Sequence, residues 1–254
     1  MYDTPSENLH GLHHGMPLDQ AMDLVRDALA PAGFNVFTYD YSPVPLSHDG
    51  GFILPTVFDM RNAPDDMEGL WCSEGYYGWD PVMEASRHVT CPFTWSHRGR
   101  QSAIMDKIMS KRHRPVVDYL CDTGMDCGIT VPIPNPDGAL ATFTAICRDP
   151  MDKSGIDRHL SSVGHLAHML HDAIHPGFKP HELRTPHVQL TPRETQCLRL
   201  CAHGMTTKEI AWELSRSIPT VTLHLTSATK KLGARNRNHA VTLAAHYRLL
   251  NPNA

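Results

Sequence analysis

One carboxylate, Asp80, sits in a run of rings: Trp71, Tyr76, Tyr77 and Trp79 precede it and Pro81 follows. A carboxylate among apolar groups is costly unless it is hydrogen-bonded. Rings supply area and shape, and a few polar tips fix orientation, which is how pockets for small molecules are built. Asp80 therefore reads as the polar anchor of an apolar pocket. It also reads as the N-cap of a helix opened by Pro81, and the residue types alone leave both open. Catalysis finds no support: the chain has no G-x-S-x-G, H-E-x-x-H, phosphate loop or dinucleotide fingerprint.

A second set lies near the other end. Val221, Leu225, Ala228 and Leu232 recur at helical spacing, which leaves Thr222, Thr226 and Lys230 on the opposite face. Lys231, Arg235 and Arg237 follow, where cations suit both a helix C-terminus and phosphates. Charge is divided accordingly. Residues 1–185 carry 14 Lys and Arg against 24 Asp and Glu, whereas residues 186–254 carry 9 against 3. A small basic module on an acidic body points toward nucleic acid.

Other side chains offer less. The seven cysteines are irregularly spaced with no CxxC pair, so free thiols of a reducing cytoplasm are expected rather than disulfides or a zinc site. Cys121 and Cys127 flank a loop and read as idle thiols. His165, His168, His171 and His175 share one helical stretch; with no acid or cysteine to complete a ligand set, they read as a solvated or dimer-facing stripe. No metal and no cofactor are expected.

These residues need elements to hold them. The length, 254 residues, allows two modest domains. No apolar run approaches the roughly 18 residues of a membrane span, and the first residues carry no secretory pattern, so a cytoplasmic protein is expected. Residues 1–16 are polar and read as a mobile start that includes His10, His13 and His14. From residue 17, Leu18, Met22, Val25 and Leu29 form a helical stripe; strands follow at 35–42 and 51–59, helices near 65–74, 81–88 and 101–120, a hairpin at 128–134 and 139–148 around Asn-Pro-Asp-Gly, and a helix from about 155 to 175. This order predicts an α+β sensor domain over 17–175, an α-β-α sandwich on an antiparallel sheet. The Pro-rich segment 176–187 reads as a linker. Residues 188–254 predict an all-α module of four helices, with capping boxes at Thr191/Glu194 and Thr206/Glu209, a helix from Ser217 to Gly233 and another from Asn236. The short joint between the second and third helices is that of a helix-turn-helix.

The C-terminal 60 or so residues resemble the DNA-binding domain of LuxR-type transcriptional regulators, through Glu194, Leu198, Gly204, Thr206, Glu209, Ile210, Ala211, Leu214, Thr220, Val221, His224, Lys231, Leu232 and Ala240. The resemblance implies that Lys208, Thr220, Lys230 and Lys231 hold phosphates of double-stranded DNA and that Thr222 and Thr226 read bases. Threonine has a loose code, so DNA shape is expected to share the discrimination. A homodimer on a pseudo-palindromic operator is implied. Ala240, Leu243, Ala244 and Tyr247 on the last helix read as a dimer seam or as packing against the first helix of the module.

Asp80-Pro81, Pro92-Phe93-Thr94-Trp95 and Gly128 resemble the acyl-homoserine-lactone-binding domain found before such modules. There the acid accepts a hydrogen bond from the ligand's amide N–H. The family's upstream motif, Tyr-Pro-x-x-Trp-x-x-x-Tyr, is replaced by Ala63, Pro64, Met67 and Trp71. A thioether cannot donate, so a lactone carbonyl facing Met67 would be buried without a partner, at a cost of about 1–3 kcal/mol. Methionine and tryptophan there are similar to LuxR solos of plant-associated bacteria, which answer to small plant compounds. The expected ligand residues are Met67, Trp71, Asp80, Trp95 and Thr144. The competing expectations are an ordinary lactone receptor, and a ligand-independent DNA-binding protein whose sensor is only a dimerisation body.

Overall fold

Alternating side chains decide the sheet. The structure, a computed structural model, describes residues 11–98, 103–148 and 153–250. Phe37, Tyr39 and Tyr41 of strand β1 (Val36–Ser42) point to one face, and Thr38, Asp40 and Ser42 to the other; all seven strand residues are buried. β1 lies inside a five-stranded antiparallel sheet of order β2-β1-β5-β4-β3, with β2 Val57–Arg61, β3 Phe93–Ser96, β4 Cys127–Pro134 and β5 Leu140–Cys147. The aromatic face of β1 packs into a core with helix α1 (Leu18–Leu29) and the long helix α8 (Leu160–Ile174), which follows the short α7 (Lys153–Asp157). The opposite face is roofed by short helices, α2 (Met67–Cys72), α3 (Tyr76–Trp79), α4 (Pro81–Ser86), α5 (Ala103–Ile108) and α6 (Arg114–Asp122). This is the expected α-β-α arrangement.

Several boundaries differ from the expectation. The predicted strand 51–59 begins only at Val57, because Gly50 turns the chain at φ +87° and Pro55 offers no N–H to a ladder. The helix expected over 101–120 is interrupted by a turn at Lys111–His113, and Pro115 sits in the first turn of α6. β3, four residues long, went unread. It exists because Trp95 lies opposite Gly128, where a Cβ would come within 2.5 Å of Ala145 O and 3.0 Å of the Trp95 ring. Residues 11–16 are anchored: Gly15 N–H donates to Ala173 O at 2.7 Å and Met16 is buried.

The histidine stripe is not uniformly solvated. His165 and His168 are exposed, but His171 is buried, with Nδ1 2.8 Å from Tyr39 OH and Nε2 3.0 Å from Asn135 Oδ1. It falls on the same side of α8 as Leu166, Ala167 and Leu170, so the sheet claims it. Burial pushes its pKa down to about 4. No group of His, Cys, Asp and Glu suited to a metal ion occurs among the described residues.

The C-terminal module comprises α9 (Pro192–Ala202), α10 (Thr207–Glu213), α11 (Ile218–Lys231) and α12 (Arg237–His246). Both capping boxes form, and Ser217 and Asn236 cap the last two helices. Ala240, Leu243, Ala244 and Tyr247 are buried in the module's own core, with α12 packed on α9. That face is therefore internal packing, not an exposed seam. Among the described residues no helix is long and apolar enough to cross a membrane.

Candidate functional site

Asp80 does two jobs. It is the N-cap of α4, with Oδ1 accepting from Val82 N–H at 2.8 Å, while Oδ2 accepts from the Trp71 indole N–H at 3.1 Å. The carboxyl is 6% exposed. Burial pushes its pKa up to about 6, against the opposing pull of the Val82 and Trp71 hydrogen bonds. The cap and the anchor are thus compatible roles of one side chain.

All five residues expected to touch a ligand, Met67, Trp71, Asp80, Trp95 and Thr144, line a single cavity between the sheet and the roof helices. Its remaining room is about 20 Å³, enough for one water. Two expected donors are already engaged. The Trp71 N–H serves Asp80, and the Trp95 N–H donates to Thr130 Oγ1 at 2.9 Å, which is 3.0 Å from Thr144 Oγ1. The wall therefore presents oxygen acceptors and hydroxyls rather than free N–H groups.

A sixth polar residue escaped the sequence reading. Asp40, on β1, lines the same cavity and is 1% exposed. Its Oδ2 accepts from Tyr77 OH at 3.0 Å, and its Oδ1 has no partner among the described residues. Burial pushes its pKa up to about 8, partly offset by the Tyr77 bond and reinforced by the nearby Asp80 charge. Thr38, two residues earlier, also reaches the cavity. The available signal was the alternation Phe37-Thr38-Tyr39-Asp40-Tyr41-Ser42. A strand with one polar face normally turns it to water, whereas here helices cover it.

On α11, Thr222, Thr226 and Lys230 are exposed together and line an open groove of about 550 Å³ with Thr207 and Arg237. Thr222 donates to Ile218 O at 2.9 Å, and Thr220 lies 2.8 Å from Ser217 Oγ at the start of the helix. Lys208 is exposed on α10. Lys231 differs from the other cations, since its Nζ is 2.8 Å from Glu194 Oε2. Burial works against the charge of Glu194, but hydrogen bonds from Lys231, Ser227 and Thr191 N–H outweigh it and hold the carboxyl at about 2. Arg237 is likewise turned inward, toward Cys201, Thr207 and Met205 O.

Residues 18–174 match the family model of the autoinducer binding domain, and residues 188–244 match that of bacterial regulatory proteins of the luxR family. The chain belongs to the LuxR family of transcriptional regulators, an autoinducer-binding domain followed by a DNA-binding helix-turn-helix domain. Transcriptional activator protein BjaR1 of Bradyrhizobium diazoefficiens is 26% identical over 95% of this chain and 93% of its own. Transcriptional activator protein TraR of Rhizobium radiobacter is 30% identical over 75% of this chain and 79% of its own. The crystal structure of Escherichia coli SdiA shares the fold, with a TM-score of 0.54 at 18% identity over 93% of each chain. SdiA has also been solved in complex with octanoyl-rac-glycerol.

Proposed function

We propose that this chain regulates transcription in response to a small, plant-derived, non-lactone compound held at Asp80, as a LuxR solo of a plant-associated bacterium. In this reading it acts in the cytoplasm as a homodimer on a pseudo-palindromic operator. Lys208, Thr220 and Lys230 hold phosphates, and Thr222 and Thr226 face bases. The supporting observation is the chemistry of the cavity wall. Met67 cannot donate, and the indoles of Trp71 and Trp95 are already bonded within the protein. A lactone or acyl carbonyl would meet no free indole N–H there and only hydroxyl donors, whereas a guest N–H meets carboxylate and hydroxyl acceptors. SdiA's complex with a glycerol ester supports the idea that this fold accommodates ligands other than lactones.

Calorimetric titration and a reporter strain test this reading. Plant extract should activate the reporter, acyl-homoserine lactones should do so poorly, and Asp80→Asn should abolish the response while the protein stays folded. Tight stoichiometric binding of an acyl-homoserine lactone overturns it. A second reading, a ligand-independent regulator, is favoured by the cavity's size, since about 20 Å³ admits no signal molecule without side-chain movement. A reporter equally active with and without extract would support that one.

A further inference from the structure

The buried face of the sheet is far more polar than an apolar guest requires. Thr38 and Asp40 on β1 stand opposite Thr144 and Thr142 on β5, and Thr130 on β4 continues the row beside Thr144. All five are buried. Thr130 and Thr144 bond each other, but Asp40 is half-satisfied, with Tyr77 on one oxygen and nothing among the described residues on the other. A carboxyl group sealed in this way costs stability, and such costs persist where a function uses them. Among the described residues, those lining the cavity include two carboxyl groups and no Lys, Arg or His. The wall is therefore electrically one-sided.

From this geometry we infer that Asp40 is a second ligand anchor, and that the signal is a compact cation carrying an amide or amine N–H for Asp80 and an ammonium group for Asp40. The inference rests on the ligand-sensing reading above and specifies its chemistry. An ammonium group brings three donors. Asp40 Oδ1 offers a charge-assisted acceptor for one, and the Thr38 and Thr144 hydroxyls line the same cavity. Among the described residues, the titratable groups that act on Asp40 in the cavity are Tyr77 and Asp80, and neither supplies a positive charge. Asp40 holds its proton at neutral pH, so a guest that arrives as an ammonium sends that proton to solvent and leaves an ion pair. The cavity must widen to admit such a guest. Met67, Met83 and Leu120 in its lining are unbranched or flexible enough to move.

The test uses the full chain and three amides that differ at one end. These are N-(2-aminoethyl)butanamide, its methyl isostere N-propylbutanamide, and the ketone N-(3-oxobutyl)butanamide. Calorimetry on the wild type should show the ammonium probe binding at least tenfold tighter than the propyl probe, with release of close to one proton at pH 7 when buffers of different ionisation heat are compared. Asp40→Asn should erase that preference and the proton release. Asp80→Asn should weaken all three probes. Equal affinity for the ammonium and propyl probes, tighter binding of the ketone, or an unchanged preference in Asp40→Asn each overturns the inference. If Asp40 fails but Asp80→Asn still weakens binding, the reading of Asp80 survives. Binding of none of the three overturns both. The proton count needs no variant, so the test holds even if Asp40→Asn folds poorly, and Asp40→Leu provides a second substitution.

Discussion

Asp40 and Asp80 both have raised pKa values, and the consequence for stability follows from the sign. In the unfolded chain Asp40 ionises near its ordinary value of 3.8, whereas in the fold it ionises at about 8. Between these values the native state holds a proton that the unfolded state has lost, so stability falls as pH rises. Asp80 contributes the same sign up to about 6. His97 and His171, pushed down to about 4 by burial, act oppositely but only below their ordinary 6.5. From pH 6.5 to 8, then, Asp40 acts alone among the strongly displaced groups of the described residues. Urea unfolding should show stability falling by about 1 kcal/mol per pH unit across that window, and by little in Asp40→Asn. A wild type equally stable at both ends would show that Asp40 ionises normally. That Met67, Trp71, Asp80, Trp95 and Thr144 gather around one cavity was legible because the family motif fixes them along the chain. Asp40 was not, because its importance arises from which face of β1 the roof helices cover. That is a tertiary fact, and the alternation of a strand does not state it.

At the level of elements, legibility followed the strength of local signals. The helices of the C-terminal module were bounded well, since Thr191, Thr206, Ser217 and Asn236 are caps whose partners lie three residues on. β2 and β3 were misplaced or missed because short strands owe their existence to neighbours. The same distinction separates the two lysines that end α11. Lys230 is exposed in the groove, while Lys231 bonds to a Glu194 side chain that is 5% exposed. Lys230→Ala should leave unfolding unchanged and weaken binding to DNA of any sequence, with the salt dependence reduced by about one phosphate contact. Lys231→Ala should cost about 1–2 kcal/mol of stability, because it strands a buried carboxylate. Denaturant titration and fluorescence anisotropy at two salt concentrations separate the outcomes. Equal stability loss in the two variants would remove the distinction.

Across the whole molecule, the two domains share packing. Val44 and Ile53, from the loop between β1 and β2, are buried in one apolar cluster with Tyr247 and the core of the C-terminal module. Tyr247 OH lies 2.9 Å from His48 Nδ1, His246 Nε2 donates to Leu46 O at 2.9 Å, and Arg248 pairs with Asp137 at 2.8 Å. The segment between the domains is not a free tether either: Thr185 is buried, and Thr56 Oγ1 donates to Glu182 O. The loop that makes these contacts leaves β1 two residues after Asp40, so the strand that lines the cavity also carries the contact to α12's end. A serine at position 53 would put a hydroxyl into that cluster and remove its packing. The wild type should therefore melt in one calorimetric transition and resist trypsin at Arg184, whereas Ile53→Ser should melt in two and be cut there, between the domains. Two transitions in the wild type would mean that the domains unfold independently. One transition in Ile53→Ser would mean that the coupling runs through His48, Asp137 and the interdomain segment, and Arg248→Ala would then be the substitution that splits it.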